Sequence, residues 1–269
     1  MDQTTLTDRY TDEAITFIQE ARSQPFFLML AHSMPHVPLA VADRFRGRSA
    51  NGLYGDVIEH LDWSTGAVLD ALQEQGLREH TTVIFTSDNG PWSEMPPRMF
   101  SGDTIKPWDA GSAGPFRGSK ATTWEGGGRE PFIVRWPGRI PAGRVSDAFL
   151  TALDLYPTLL SLAGVPVPAD RPVDGLDVMA TLAGTAESPR RELFFLNNGN
   201  LEAVRRDRWK LRVVRPTPKE PAVPQLFDLV ADPYERFDVA TREPAIVEQL
   251  AARMREFARD TGAPTALQD

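Results

Sequence analysis

A carboxylate and a carboxamide follow an apolar stretch in T-S-D-N-G, residues 86–90. Oxygen donors on Asp88 and Asn89 suit a hard cation such as calcium or magnesium, although calcium takes about six to eight oxygens and would need further ligands. Asn-Gly after a β-branched run also predicts a hairpin turn. Three prolines in residues 91–98 cannot donate to a β ladder and argue against a partner strand there. The two residues could therefore be cation ligands or turn formers.

A lysine and a histidine elsewhere in the chain could act on an anionic group. Lys120 follows Gly118 and Ser119, small residues that let the backbone approach a ligand while the ammonium serves as a point charge. A solvated loop lysine is the alternative. His36 lies between prolines in A-H-S-M-P-H-V-P-L, where stiff backbone would hold it as an acid or as a donor to a phosphoryl or sulfuryl oxygen. The alternative is a packed or surface histidine, and His32 is a secondary candidate.

A long segment rich in proline and glycine, residues 90–115, connects two of these regions. Loops of this length inside compact domains are commonly functional lids or disordered segments. The segment contains Trp92, Arg98 and Trp108. These side chains could line a substrate pocket or pack the loop itself, and the sequence favours neither interpretation.

Strand and helix patterns predict how the candidates are positioned. A helix is predicted from Thr11, which can cap it, followed by a continuous apolar strand at 25–31. Helical spacing over 53–75 and a strand at 82–86 complete a strand–helix–strand unit, whose strands should run parallel with a right-handed crossover. Ligands bind at the carboxyl ends of strands in open parallel sheets. The candidate residues that follow these two strands are therefore expected at the same edge.

The remainder of the chain changes in character. A strand at 132–136 and a helix at 154–163 continue the first pattern. Beyond them, short strands separated by turn residues form a meander, closed by a helix at 244–259. We predict an α/β fold with a mostly parallel sheet sandwiched by helices in residues 1–165. Residues 166–269 should form a small antiparallel sheet with a terminal helix.

The composition argues against nucleic-acid and membrane partners. The formal net charge is −8 over 269 residues, whereas nucleic acid or an anionic bilayer would favour a basic face. We find no eighteen-residue apolar run and no signal-peptide pattern, and the compartment is undetermined. Six basic and two acidic residues lie between 115 and 145, where a small anion or a solvated surface would fit. Cysteine is absent, which removes disulfides, thiolate ligands and cysteine nucleophiles.

Six sequence blocks, in order along almost the whole chain, carry a family resemblance. They are P-F-F-L-M-L-A-H-S-M-P-H-V-P-L, Y-G-D-V-I-E-H-L-D-W-S-T-G-A-V-L, V-I-F-T-S-D-N-G-P, F-R-G-S-K-A-T-T-W-E-G-G-G-R-E-P-F, D-L-Y-P-T-L-L-S-L-A-G and L-F-D-L-V-A-D-P-Y-E-R. Together they resemble the formylglycine-dependent sulfatases, or arylsulfatases, of the alkaline-phosphatase-like superfamily. The resemblance implies hydrolysis of small-molecule or glycan sulfate esters.

The resemblance also implies roles for individual residues. Asp88 and Asn89 match the later pair of calcium ligands, with Ca²⁺ rather than Mg²⁺ as the cation. Lys120 and His36 match residues that hold the sulfate ester and assist departure of the leaving group. Arg129, in the block that supports the lysine, is implied to be structural. In the family, a hydrated formylglycine attacks sulfur, the alcohol or phenol leaves, and the aldehyde is regenerated.

Two features of the family pattern are missing from these 269 residues. One is the C/S-x-P-S-R motif that supplies the formylglycine, and the other is an early Asp-Asp pair that completes the metal site. The chain is therefore expected to resemble the C-terminal portion of a sulfatase, without the first strands of the sheet, and to be inactive alone. An N-terminal segment or a separate chain would then be a partner.

Other interpretations stay open. A truncated or split gene would give a non-catalytic fragment or one half of a split enzyme, since exposed sheet edges favour pairing. A phosphatase or phosphonate-ester hydrolase of the same superfamily would act on a different ester. The sulfatase-type G-S-K-A-T-T-W-E-G-G stretch beside D-N-G argues against that third interpretation. Full-length sulfatases are often periplasmic or secretory, which does not locate this chain.

Overall fold

The computed structural model describes residues 2–100, 104–215 and 220–267, which fall into two units. Unit 1 comprises Met1–Ile84, Ser93–Ser112 and Val134–Arg139, and unit 2 comprises Phe85–Trp92, Ala113–Ile133 and Ile140–Asp269. The predicted domain boundary between residues 165 and 166 stays a prediction. Unit 2 combines the C-terminal strands with the segments that carry Asp88 and Lys120.

Helices and short strands alternate in the first part of the chain, and antiparallel strands follow. In chain order these elements are α1 (Leu6–Ala21), α2 (Gly52–Glu74), β1 (Val83–Thr86), the one-turn α3 (Glu125–Gly128), β2 (Phe132–Arg135), α4 (Leu155–Leu162), α5 (Met179–Ala183), β3 (Glu192–Asn197), β4 (Asn200–Arg206), β5 (Trp209–Val214), β6 (Val223–Asp228) and α6 (Pro244–Thr261). In the described part of the chain, none of the helices combines the length and apolar character needed to cross a bilayer.

Helix α1 begins at Leu6 rather than at the predicted cap, Thr11. Thr11 is fully buried inside the helix, and its hydroxyl donates to the Thr7 carbonyl at 2.7 Å. The same hydroxyl lies 2.6 Å from Ser64 Oγ on α2. The predicted cap is wrong because a threonine hydroxyl can also bond to the backbone four residues earlier within a helix. Its bond to α2 joins the two helices.

Apolar residues of α1 and α2 form one core of unit 1. Ile18 on α1 and Ala71 and Leu72 on α2 are buried together, with Leu28 and Val83 packed against them. Helix α2 matches the helix predicted for residues 53–75. The spacing of apolar residues therefore identified the buried faces of both helices.

The segment at 25–31, predicted as a buried strand, pairs with no strand among the described residues. Its side chains alternate in exposure, with Phe27 67% and Met29 76% exposed, whereas Phe26 and Leu28 pack on the helical core. Alternation is typical of extended backbone, but a strand also needs a hydrogen-bonded neighbour. The predicted strand is therefore absent from this part of the structure.

Strands β1 and β2 form a two-stranded sheet and match the strands predicted at 82–86 and 132–136. Helix α4 matches the helix predicted at 154–163, and the turn Ala152–Asp154 precedes it. The local patterns in this part of the sequence were therefore sufficient to identify its elements.

Unit 2 contains a four-stranded antiparallel sheet in the order β3-β4-β5-β6. Helix α6 packs on the sheet through Leu250 and Met254, which are buried against Leu211 and Leu226. These elements confirm the predicted meander and closing helix. The helix continues two residues beyond the predicted end, to Thr261, because Gly262 in the left-handed conformation terminates it.

Candidate active site

Asp88 and Asn89 lie just beyond the end of β1, as the sequence predicts. The Asp88 side chain is exposed, and Asn89 is half-buried. The N–H of the next residue, Gly90, donates to the Gly127 carbonyl at 3.1 Å. No strand occurs in the described residues 91–100, so the hairpin alternative is wrong. The backbone after Asn89 bonds instead to turn α3.

The contact between Gly90 and turn α3 requires residues without a side chain. A Cβ atom at Gly90 would lie 2.0 Å from the Gly126 carbonyl oxygen. A Cβ atom at Gly126 would lie 2.5 Å from the Gly118 carbonyl oxygen, and one at Gly127 would lie 2.4 Å from that of Thr122. All three distances are well inside van der Waals contact. Because these glycines lack side chains, the backbone at Gly90, turn α3 and residues 118–122 can lie in close contact.

The Lys120 segment is joined to the residues that follow Asn89. The Lys120 N–H donates to the Pro91 carbonyl at 2.9 Å. The Lys120 ammonium lies 5.5 Å from the centre of the Trp92 ring, a cation–π distance. Unit 2 thus brings together the segments of Asp88, Asn89, Trp92 and Lys120, with Lys120 half-buried rather than a fully solvated loop residue.

Glu130 is a neighbour of this group that sequence reasoning missed. Its Oε1 atom is buried and has no hydrogen-bond partner. Burial, together with the negative charge of Asp88, raises the pKa of the Glu130 carboxyl to about 7. The only sequence signal was an acidic residue immediately before a proline and a strand, which is common and points to no particular role.

The donors around Asp88 fit a hard cation in kind but not in number. A carboxylate at Asp88, an amide at Asn89 and an unpartnered carboxylate oxygen at Glu130 are the oxygen donors that calcium prefers. However, the described residues contain no group of three or more His, Cys, Asp or Glu side chains arranged to hold a metal ion. A complete calcium shell would therefore need further oxygens.

His36 belongs to unit 1, and its ring is exposed. Its Nδ1 lies 2.7 Å from the Val37 carbonyl, which can only accept, so Nδ1 carries the proton. In the neutral ring Nε2 is then the basic nitrogen. Cis peptide bonds at Met34–Pro35 and Val37–Pro38 flank the residue. Burial of Met34 in the apolar cluster around Val41 fixes this loop.

The other candidates in unit 1 differ in their exposure to solvent. Arg98 is exposed in the short turn Pro97–Met99, and Trp108 is 73% exposed. Neither is buried by its own loop, whereas Met95 of the same loop is buried. His32, the secondary candidate, lies 3.3 Å from Ser64 Oγ and contributes to internal packing.

Known proteins resemble the chain over most of its length. A family model described as Sulfatase matches residues 2–165, and one described as N-sulphoglucosamine sulphohydrolase, C-terminal, matches residues 119–260. N-acetylgalactosamine-6-sulfatase of Mus musculus is 41% identical over 207 residues, 76% of this chain and 38% of the mouse protein. N-acetylgalactosamine-6-O-sulfatase of Bacteroides thetaiotaomicron is 33% identical over 264 residues, 91% of this chain and 50% of the relative.

A solved structure from Bacteroides thetaiotaomicron, linked to the metabolism of multiple glycosaminoglycans, has a TM-score of 0.80 at 31% identity. The match covers 96% of this chain and 55% of that one. The alkaline-phosphatase-like fold expected from the sequence is thereby confirmed. The chain spans about half, or less, of the length of these relatives. Since the sulfatase model matches more than half of its residues, the chain belongs to the sulfatase family.

Proposed function

We propose that the protein is a calcium-dependent sulfuric ester hydrolase, of which this chain carries the later part of the catalytic machinery. The observation that supports the proposal most strongly is the joining of two candidate segments in unit 2. Gly90 bonds to turn α3, and the Lys120 N–H bonds to Pro91, so the acid–amide pair and the lysine belong to one bonded group. In a sulfatase-family chain, such a group suits an anionic ester.

The proposed roles follow from the charge that develops on the ester. Asp88 and Asn89 would hold the cation, with Glu130 nearby as a further oxygen donor. When bound, the cation would neutralise charge on the sulfate oxygens. The Lys120 ammonium would bind the same oxygens, where charge increases in the transition state. His36, when its ring is protonated at both nitrogens, would donate the Nε2 proton to the leaving oxygen.

The nucleophile lies outside these 269 residues in this proposal. The family forms formylglycine from Cys or Ser in C/S-x-P-S-R, and the present sequence has no cysteine and no such motif. The early Asp-Asp pair of metal ligands would also lie outside these residues. We therefore expect this chain alone to bind ligands without turning over a sulfate ester.

A sulfated glycan is the substrate class that we propose. Two of the relatives above are named for the 6-sulfate of N-acetylgalactosamine, and one family model is described for N-sulphoglucosamine. Trp92, Arg98 and Trp108 would contact it, because aromatic rings stack on sugar faces and arginine binds sulfate oxygens. The exposure of Arg98 and Trp108 supports this role over packing of the loop.

One half of a split enzyme is a second candidate function. Phe27 and Met29 are largely exposed, whereas Phe26 and Leu28 of the same segment pack inward. Apolar side chains on one side of an unpaired segment would suit a neighbouring strand from another chain. Such a strand would complete the sheet and could bring the nucleophile with it.

Calcium binding tests the proposed metal site directly. We expect CaCl₂ well above its Kd to raise the thermal unfolding midpoint of the chain, since a ligand at 100 times its Kd stabilises the folded state by about 2.7 kcal/mol. The concentration required should be high, because the early Asp-Asp ligands are absent from these residues. Asp88→Asn should remove this response, and EDTA should reverse it in the wild type. Glu94→Gln, which changes an exposed carboxylate six residues later, should keep it. A response of equal size in the Asp88 variant would contradict the assignment.

Turnover assays test the assignment of the nucleophile and the ester. With calcium present, the chain should release no more 4-nitrophenol from 4-nitrophenyl sulfate than Lys120→Ala does. Robust Lys120-dependent release would show that a nucleophile is present in these residues. Lys120-dependent preference for 4-nitrophenyl phosphate would show that the ester specificity is wrong.

A further inference from the structure

Three charged side chains are buried together next to turn α3. Lys210 on β5 and Glu235 are fully buried, and Glu125 is 5% exposed. The Lys210 ammonium donates to Glu125 Oε1 at 2.9 Å and forms an ion pair with Glu235 Oε1 at the same distance. It also lies 4.6 Å from the centre of the Phe195 ring. The ammonium is therefore enclosed by two carboxylates and an aromatic face.

Glu235 holds the first residue of turn α3. Its Oε2 accepts the Glu125 N–H at 2.7 Å, and its carbonyl accepts Arg117 Nη1 at 3.1 Å. Glu235 has a φ of +54°, a left-handed conformation that costs a non-glycine residue about 1–2 kcal/mol. The hydrogen bonds to its side-chain carboxylate and to its backbone carbonyl hold Glu235 in this conformation. Such strain persists only where the surroundings fix it.

Turn α3 is hydrogen-bonded to both candidate segments, so its position determines theirs. The Gly126 N–H donates to the Arg117 carbonyl at 2.8 Å, three residues before Lys120. The Gly127 carbonyl accepts the Gly90 N–H at 3.1 Å, directly after Asn89. The glycine contacts leave no room for the turn to shift toward either segment. A displacement of Glu125 would therefore move the backbone on both sides.

Stability alone does not account for three buried charges. Taking an ion pair out of water costs about as much as the pairing returns, and well-packed apolar side chains at such positions are often equally stable. Burial raises the pKa of the Glu235 carboxyl, against the opposing effect of Lys210, which reflects this cost. What the trio provides is a fixed geometry, since the two carboxylates meet at a single ammonium.

We propose that Lys210 is a positioning residue for the candidate site, acting through Glu125 and Glu235 to fix turn α3 and thereby the Gly90 and Lys120 backbones. The proposal rests on the proposed function for its consequence, which is that Lys210 sets the affinity of the site for calcium. Lys210 itself would contact neither the cation nor the ester.

The test compares Lys210→Met with two controls. Lys210→Met removes the ammonium and keeps most of the side-chain volume. Lys210→Arg keeps the charge, and Arg208→Met removes an exposed cation just before the same strand. The double variant Lys210→Met/Glu235→Gln has fewer unpaired buried charges than Lys210→Met. It replaces Lys210→Met in the experiment if the single variant fails to fold. Hydrogen exchange of single amides by NMR, without any ligand, gives the first readout.

We expect exchange of the Gly90 and Lys120 amides to accelerate at least about tenfold in Lys210→Met, since local opening would cost less. The Met254 amide in α6 should accelerate clearly less, because it reports only the general loss of stability caused by two carboxylates buried without a cation. Lys210→Arg should restore protection. Unchanged exchange at Gly90 and Lys120 would overturn the proposal. Equal acceleration at Met254 would also overturn it, because the role would then be general stability.

Calcium titration gives the second readout and separates this proposal from the proposed function. Wild type that binds no calcium would contradict the function, whereas the exchange result would still decide whether Lys210 fixes the turn. If wild type binds, we expect about tenfold weaker binding by Lys210→Met, comparable to the loss of one supporting contact at a metal site. Unchanged affinity despite faster exchange at Gly90 would overturn the positioning role.

Discussion

Single glycine residues decide how closely the backbone segments of the candidate site approach one another. Gly90, Gly126 and Gly127 each occupy a position where a Cβ atom would overlap a backbone carbonyl oxygen. Backbone atoms in bonded turns cannot move aside as flexible side chains do, so the overlap could be relieved only by separating the segments. The acid–amide pair and the lysine depend on these glycines for their spacing.

Gly90→Ala should therefore destabilise unit 2. The added Cβ atom would lie 2.0 Å from the Gly126 carbonyl oxygen, and overpacking of this kind costs about 1–3 kcal/mol. Urea unfolding would measure the change. Gly66→Ala is the matched control, because it lies inside α2 with nothing within 4 Å of its added Cβ and should be stabilising by up to about 1 kcal/mol. Equal midpoints for the two variants would disprove the steric argument.

At the scale of elements, the segment at 25–31 shows how a strand-like sequence can lack a strand. Its apolar run predicts burial on both sides, yet one side packs on α1 and α2 while the other is exposed. Pairing requires a neighbour with unsatisfied backbone groups, and none is bonded to it among the described residues. The segment therefore presents an apolar surface to its surroundings.

We expect the exposed Phe27 and Met29 side chains to promote self-association of the chain. Phe27→Ser/Met29→Ser should then reduce this association without loss of stability. Both side chains are mostly exposed, so the free energy of unfolding should change by less than about 0.5 kcal/mol. Sedimentation velocity would measure association. Leu28→Ala, between them, removes packing on the helical core and should cost about 2 kcal/mol without changing association. A Phe27→Ser/Met29→Ser variant that is less stable than Leu28→Ala would contradict this prediction.

For the whole molecule, stability depends on keeping a buried ion pair intact, because removing one partner would leave the other charge buried alone. Asp154 is fully buried, and its carboxylate accepts Arg190 Nε at 2.8 Å, the Leu176 N–H at 2.9 Å and the Thr151 N–H at 2.8 Å. Burial alone would raise the pKa of the Asp154 carboxyl, but these bonds outweigh it and hold the pKa below its usual value. The carboxylate joins three segments of unit 2.

Asp154→Asn should lower stability at neutral pH and weaken the dependence of stability on acid. Because the folded-state pKa is lowered, the wild-type carboxylate contributes stability above its unfolded-state pKa and loses that contribution as the pH falls through the folded-state value. We expect a loss of about 3 kcal/mol at pH 7, since Arg190 stays buried without its partner. The difference from wild type should shrink in acid.

Urea unfolding at a series of pH values would measure this difference. Asp62→Asn, an exposed carboxylate on α2, should follow the wild type throughout. A difference between Asp154→Asn and wild type that stays constant from neutral to acid pH would show that the carboxylate does not titrate as its bonds require.

Elements whose pattern is local could be predicted from the sequence, and those that depend on a distant partner could not. The four C-terminal strands and α6 were predicted because alternation and helical spacing reflect burial directly. Thr11 was misassigned because a hydroxyl can cap a helix or bond within one. Glu130 and Lys210 were missed because a charged residue in a strand or loop is normally solvated. Only the folded chain shows that Lys210 is buried and that one carboxylate oxygen of Glu130 is buried.

The sequence by itself determined the family, the order of the elements and the residue types that could bind an anion or a cation. Those features depend on residue spacing and side-chain chemistry within short stretches of the chain. The tertiary structure alone decided that Gly90 and the Lys120 segment meet at turn α3, and that Lys210 and Glu235 hold the turn. Contacts between residues up to 118 positions apart depend on the folded path of the backbone. No local pattern in the sequence encodes that path.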